Sequence, residues 1–184
     1  MDNNQQDIGG YLRPGFLKEL SERYPTMDLN AQVTFMEVIS VLRRLNLGMD
    51  TYFQEYGISH AGFKVLINLL HDETSSGLSP ANLSGICGVT RATVTGILDT
   101  LENNGWIERQ PDPNDRRGLI IVLTESGRGK LDTILPKHYG RIAESMSVLS
   151  SEEQDTLRVL IQKFSKGLDA LQANTSIHTK EEGK

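Results

Sequence analysis

The chain has 184 residues, 38% hydrophobic and 23% charged, which suits a folded domain with helical additions and excludes a chain disordered throughout. It carries no apolar run long enough for a membrane span, and its first residues, MDNNQQDIGG, lack the basic-then-apolar order of a secretion signal. The single cysteine, Cys87, offers neither an intrachain disulfide nor a zinc cluster, so a reducing, cytoplasmic setting is expected. The formal net charge is −5, which speaks mildly against a nucleic-acid partner. Residues 79–130, however, carry six basic and six acidic side chains, against six and ten in 1–78. Any DNA contact must therefore come from a few placed arginines.

In chain order, residues 1–13 read as mobile, and a short helix follows from Pro14 to Pro25, with Phe16, Leu17 and Leu20 on one side. A long helix is predicted over about 28–56, where Leu29, Val33, Met36, Leu42, Leu45, Met49 and Tyr52 recur at three- and four-residue steps, with Gly57 as its stop. Ser59 caps a helix to about His71, and Asp72–Gly77 reads as a loop. Ser79-Pro80 then has the form of an N-cap followed by proline in the first helical position. That short helix ends at Gly88, and Thr90 caps the next, which runs to about Asn104 and stops at Gly105. Two helices separated by a glycine-containing break make a helix-turn-helix.

Trp106–Gln110 and Leu119–Leu123 are β-rich and flank a Pro/Asn/Gly loop, so they read as a hairpin. A helix from Thr124 to about Ser147 contains Pro136, which predicts a kink near 132–136. Ser150 and Glu153 form a capping box for a last helix with an apolar stripe of Leu157, Leu160, Ile161, Phe164 and Leu168. From about Asn174 the chain reads as disordered. The fold class is therefore mainly α with a small β-wing. The expected domains are an N-terminal extension (1–26), a helical dimerisation region (27–57 and 125–173), a winged helix-turn-helix (58–124) and a tail (174–184). The long outer helices are more than a winged helix needs for its own core, and they suit a homodimer in which a twofold axis spaces two recognition helices.

Leu78–Arg128 resembles the MarR family of bacterial transcription regulators. The resemblance rests on Thr90-Arg91-Ala92-Thr93-Val94-Thr95, on Leu101-Glu102 before Gly105, on Asp112-Pro113 through Asp115-Arg116-Arg117, and on Leu123-Thr124-Glu125 with Gly127. With weaker identity it extends over about 28–170. It implies a cytoplasmic, ligand-responsive homodimeric repressor, with a palindromic double-stranded DNA operator and a second copy of the chain as partners.

The N-terminal half of a recognition helix meets base edges in the major groove, and its first amides can hold phosphate. That singles out Thr90, Arg91, Thr93, Val94 and Thr95. Val94 can equally face the core, and Thr90 can be a cap alone. Ser79 and Asn82, opening the preceding helix, are candidates for backbone phosphate, although a cap explains Ser79 fully. The narrow minor groove of A·T-rich DNA attracts inserted arginine. By resemblance Arg117 matches the family's minor-groove arginine and Asp115 the acid that braces the wing, while Arg116 is structural or phosphate-facing.

The resemblance also implies a small anionic or phenolic aromatic effector, held between the dimerisation helices and the winged helix. Arg43, Tyr52, His60 and Phe63 are the candidate lining residues, and core packing explains Tyr52 and Phe63 as well. The N-terminal extension can cover that cleft, as in the family's urate-responsive branch. Another branch senses oxidants through an N-terminal cysteine, which this chain lacks. Cys87 reads as buried and structural, and a redox-responsive regulator through it is the alternative. No cofactor and no metal site are expected. His60 and His71 share a helix face but lie about 16 Å apart, and His138 and His178 are isolated. No P-loop, dinucleotide fingerprint or nucleophile elbow is present, so an enzyme is not expected. A winged helix used only for protein contact is the remaining alternative.

Overall fold

The computed structural model describes residues 14–72, 77–115 and 117–178. Residues 1–13, the centre of the 72–77 loop, Arg116 and the chain beyond 178 lie outside them. Among the described residues seven helices and two strands follow in order: α1 (Pro14–Arg23), α2 (Leu29–Gln54), α3 (His60–Leu70), α4 (Pro80–Cys87), α5 (Arg91–Asn103), β1 (Ile107–Pro111), β2 (Leu119–Leu123), α6 (Glu125–Met146) and α7 (Ser151–His178). The architecture is mainly α with a two-stranded antiparallel wing, as the sequence predicts. The chain falls into two compact units, the first ending at Leu131 within α6 and the second beginning at Asp132.

Helix starts are set by side chains that satisfy the orphan amides of the first turn. Asp28 accepts from the N–H of Ala31, Ser59 from Gly62, Ser79 from Asn82 and Thr90 from Thr93, all between 3.0 and 3.2 Å. At Ser150 the box is reciprocal: its N–H donates to Glu153 Oε2 (2.8 Å) and its Oγ accepts from the Glu153 N–H (3.3 Å). The break between α4 and α5 turns on Gly88, whose φ of +67° lies in the left-handed region. There the N–H of Val89 reaches back to Ser84 O and that of Gly88 to Gly85 O.

The first unit is built on α3, which touches α2, α4, α5 and β2. Phe53, Val65, Leu66, Leu83 and Ile121 are fully enclosed, and Val94, Leu98 and Leu101 carry the inner stripe of α5. Each such side chain contributes about 1.5–3 kcal/mol on burial. In the wing Ile107 pairs with Leu123 and Pro111 with Leu119. Leu78 adds an isolated bridge to Ile121, each donating its N–H to the other's carbonyl.

Two expectations are adjusted. Trp106 lies outside β1, because its N–H bonds to Leu101 O and closes the end of α5, which shifts the strand by one residue. α6 is one continuous helix with Pro136 inside it. α7 extends to His178, past the point where a tail was expected. Ala170, Leu171, Gln172 and Ala173 are strong helix formers, and neither Gly nor Pro intervenes.

Candidate nucleic-acid interface

The recognition segment is assembled by the Thr90 cap and the inner stripe of α5. With Val94, Leu98 and Leu101 buried, Arg91, Thr95 and Asp99 line the exposed side next to that stripe. Thr90 and Thr93, also exposed, exchange a hydroxyl hydrogen bond of 2.8 Å. Thr95 ties its hydroxyl to Arg91 O at 3.0 Å. Val94 is 1% exposed and belongs to the core, because a helix that packs on α3 must turn one side inward and Val94 lies on it. Val94 is therefore not available to DNA. At the start of α4, Ser79 is half-buried and occupied as a cap, and Asn82 is exposed.

The wing tip is ordered by its own carboxylates. Asp112 accepts from the N–H of Asn114 (2.8 Å) and Asp115 from that of Arg117 (3.0 Å). The loop closes through Asp112 N–H to Gly118 O and Gly118 N–H to Asp115 O. A Cβ on Gly118 would stand 3.1 Å from the Cβ atoms of both Asp112 and Asp115. Asp115 thus shapes the backbone that carries the exposed Arg117. Arg116 lies outside the described residues.

α5 and the wing are joined by contacts that the sequence reading missed. Arg109 on β1 donates through Nη2 to Asp99 Oδ1 (2.6 Å) and through Nη1 to Glu102 Oε2. Its backbone N–H also donates to Glu102 Oε1 (3.2 Å). Burial works against the charge of Arg109, but the hydrogen bonds and charges of Asp99 and Glu102 outweigh it and raise the guanidinium pKa. The available signal was the i, i+3 spacing of Asp99 and Glu102 with an arginine in the following strand. Beyond the wing, Thr124 donates its hydroxyl to Gly105 O and its N–H to Trp106 O, and Lys130 sits 4.9 Å over the Trp106 ring.

Of the candidate effector residues, three come together. Phe53 stacks on Phe63 at 4.2 Å and on His60 at 5.4 Å, and Tyr52 packs on Phe53 at 4.9 Å. Tyr52 and Phe63 are each 6% exposed. Arg43 is exposed and stands nine residues before Tyr52 on α2, about 13 Å along the helix axis. A separate cleft of about 310 Å3 lies between the start of α3 (Ser59, Gly62) and α5 (Thr93, Gly96, Ile97), with Trp106 also lining it. Gly96, a glycine in mid-helix, was its one sign in the sequence. Cys87 is buried, and desolvation raises its thiol pKa against a weaker pull from Lys64. Among the described residues no set of three potential ligands can hold a metal ion, and no helix is long and apolar enough to cross a membrane.

A helix-turn-helix followed by a two-stranded wing defines a winged-helix DNA-binding protein. Residues 58–119 match the MarR family. The chain is 34% identical over 139 residues to the HTH-type transcriptional repressor YetL of Bacillus subtilis, covering 76% of this chain and 83% of that one. It is 38% identical over 116 residues to the transcriptional repressor MprA of Escherichia coli, covering 63% and 65%. Among solved structures, a cysteine-to-serine mutant of MarR from Escherichia coli, complexed with operator DNA, superposes with a TM-score of 0.60 at 26% identity, over 79% of this chain and 96% of that one. The chain belongs to the MarR family. It is a transcription regulator and not an enzyme.

Proposed function

We propose that the protein is a homodimeric repressor that binds a palindromic operator and is released from it by a small anionic or phenolic aromatic compound. The observation that carries the DNA reading is the pairing, within one compact unit, of an exposed recognition-helix face with a wing tip whose arginine is also exposed. Arg91 and Thr95 read the major groove, Arg117 enters the minor groove, and Thr90, Thr93, Ser79 and Asn82 lie toward phosphate. Arg116, beside Arg117 in sequence, is assigned to phosphate. The repressor direction is supported by the printed names of YetL and MprA, and the complex of MarR with operator DNA supports the target. A cytoplasmic site of action accompanies this reading.

Dimerisation is supported by apolar side chains that a single chain leaves exposed. Val41, Leu42, Leu45 and Leu47 stand out on α2, and Val159, Leu160 and Ile161 on α7, each more than half exposed. Effector binding is assigned to the Tyr52, His60 and Phe63 cluster, in which half-buried His60 is the ring open to a ligand and the buried Tyr52 and Phe63 pack around Phe53 behind it. Arg43 is the anion partner of that reading and the member farthest from the cluster. The decisive test is fluorescence anisotropy with a labelled duplex from the region upstream of the protein's own coding sequence, at two salt concentrations, with Arg117→Ala beside the wild type. Specific binding that tightens at low salt and weakens about ten-fold in the variant is expected. Equal binding to random DNA by a folded dimer would overturn the reading.

A further inference from the structure

Arg91, Thr95 and Asp99 follow each other at four-residue steps on α5, and Glu102 continues the same side. The far end of the DNA-facing stripe is therefore occupied by two carboxylates, and both are held by one guanidinium from the neighbouring strand. Glu102 takes the Arg109 side chain with one oxygen and the Arg109 backbone N–H with the other. Arg109 is paired across the wing with Ile121, whose own N–H points outward to Leu78. The Arg109 N–H is likewise turned away from β2, and Glu102 closes that edge of the strand.

These ion pairs are not a large source of stability. The side chains of Arg109, Asp99 and Glu102 are 24%, 54% and 37% exposed, and pairs this wet contribute little. What a forked, three-point contact provides is direction. It ties the axis of β1 to the axis of α5, and β1 leads into the loop that carries Arg117.

We propose that Arg109, through Asp99 and Glu102, is the positioning residue that sets the wing arginine's reach relative to the recognition helix, so that major-groove and minor-groove contacts are made together. This rests on the DNA reading given above. Arg109 acts here through α5, with Nη1 and Nη2 each donating to a carboxylate of that helix.

The test is a double-mutant cycle in anisotropy, with the full chain and the upstream duplex, between Arg109→Lys and Arg117→Ala. Lysine keeps the charge and loses the fork. Arg109→Lys is expected to weaken binding about ten-fold in the wild type and less than about two-fold in the Arg117→Ala background. Trp106, the only tryptophan of the chain, lies between Glu102 and Arg109 and reports on the free protein. Acrylamide should quench it more strongly in Arg109→Lys and in Glu102→Gln, with circular dichroism unchanged. Should the lysine variant fold poorly, Glu102→Gln takes its place in the cycle.

A ten-fold loss that persists on the Arg117→Ala background would overturn the positioning role while leaving the DNA reading intact. So would wild-type affinity in Arg109→Lys, or unchanged Trp106 quenching. An Arg117→Ala variant that binds as tightly as the wild type would instead overturn the DNA reading, and the positioning role with it.

Discussion

Two glycines with opposite surroundings show how single residues decide the packing around α5. A Cβ on Gly127 would stand 2.1 Å from the carbonyl oxygen of Trp106 and 2.7 Å from Leu123 Cδ1, so any side chain forces the start of α6 away from the wing. Gly127→Ala should cost roughly 2–3 kcal/mol, read as a lower urea midpoint. Gly96 has nothing within 4 Å of its missing Cβ and sits in the middle of a helix with ordinary dihedrals. Gly96→Ala should stabilise by about 0.5–1 kcal/mol in the same assay, by lowering the entropy of the unfolded chain. Cys87 makes a pH prediction. Burial raises its folded pKa above the unfolded value of about 8.5. Its contribution is therefore complete below that value and is lost as pH rises through the folded one. A thiol reagent at neutral pH should label Cys87 only in denaturant. Rapid labelling of the folded protein would restore the redox alternative.

At the scale of elements, most starts and stops follow local chemistry. The caps at Ser59, Ser79, Thr90 and Ser150 were all legible, because a hydroxyl three residues ahead of an amide satisfies it whatever the rest of the chain does. Removing the Ser150 hydroxyl with Ser150→Ala should cost about 1 kcal/mol of helix stability, seen as a lower thermal midpoint by circular dichroism. The strand boundary at Trp106 was less legible. Its side chain favours a strand, but its N–H is claimed by Leu101 O in the helix stop. The bridge between Leu78 and Ile121 was not legible at all, since a single paired residue leaves no periodicity to read. The same holds for Arg109. A charged residue in a β-rich run looks like a solvated face until α5 is laid beside it.

For the molecule as a whole, the proposed dimer makes the sharpest claim. Leu160 is 56% exposed on α7, and its replacement by Glu should give a monomer in sedimentation. Affinity for a duplex with two half-sites should fall about 100-fold, because the second half-site no longer benefits from tethering. A dimeric Leu160→Glu protein would move the interface elsewhere.

The order of elements, their caps, the wing loop and the family could be read from the chain alone, because each depends on residues close together in it. A helix-turn-helix with a wing is written in glycines, hydroxyls and a Pro-Asn-Asp loop whose roles are local. Packing against α3 settled which side of α5 turns inward, and so placed Val94, open between DNA and core in the sequence, in the core. Tertiary packing also brought Tyr52, Phe53, His60 and Phe63 into one stack across two helices and set Arg109 between Asp99 and Glu102. Those outcomes depend on how one element packs against the next, which is fixed by side-chain volume and by the competition of buried polar groups for partners.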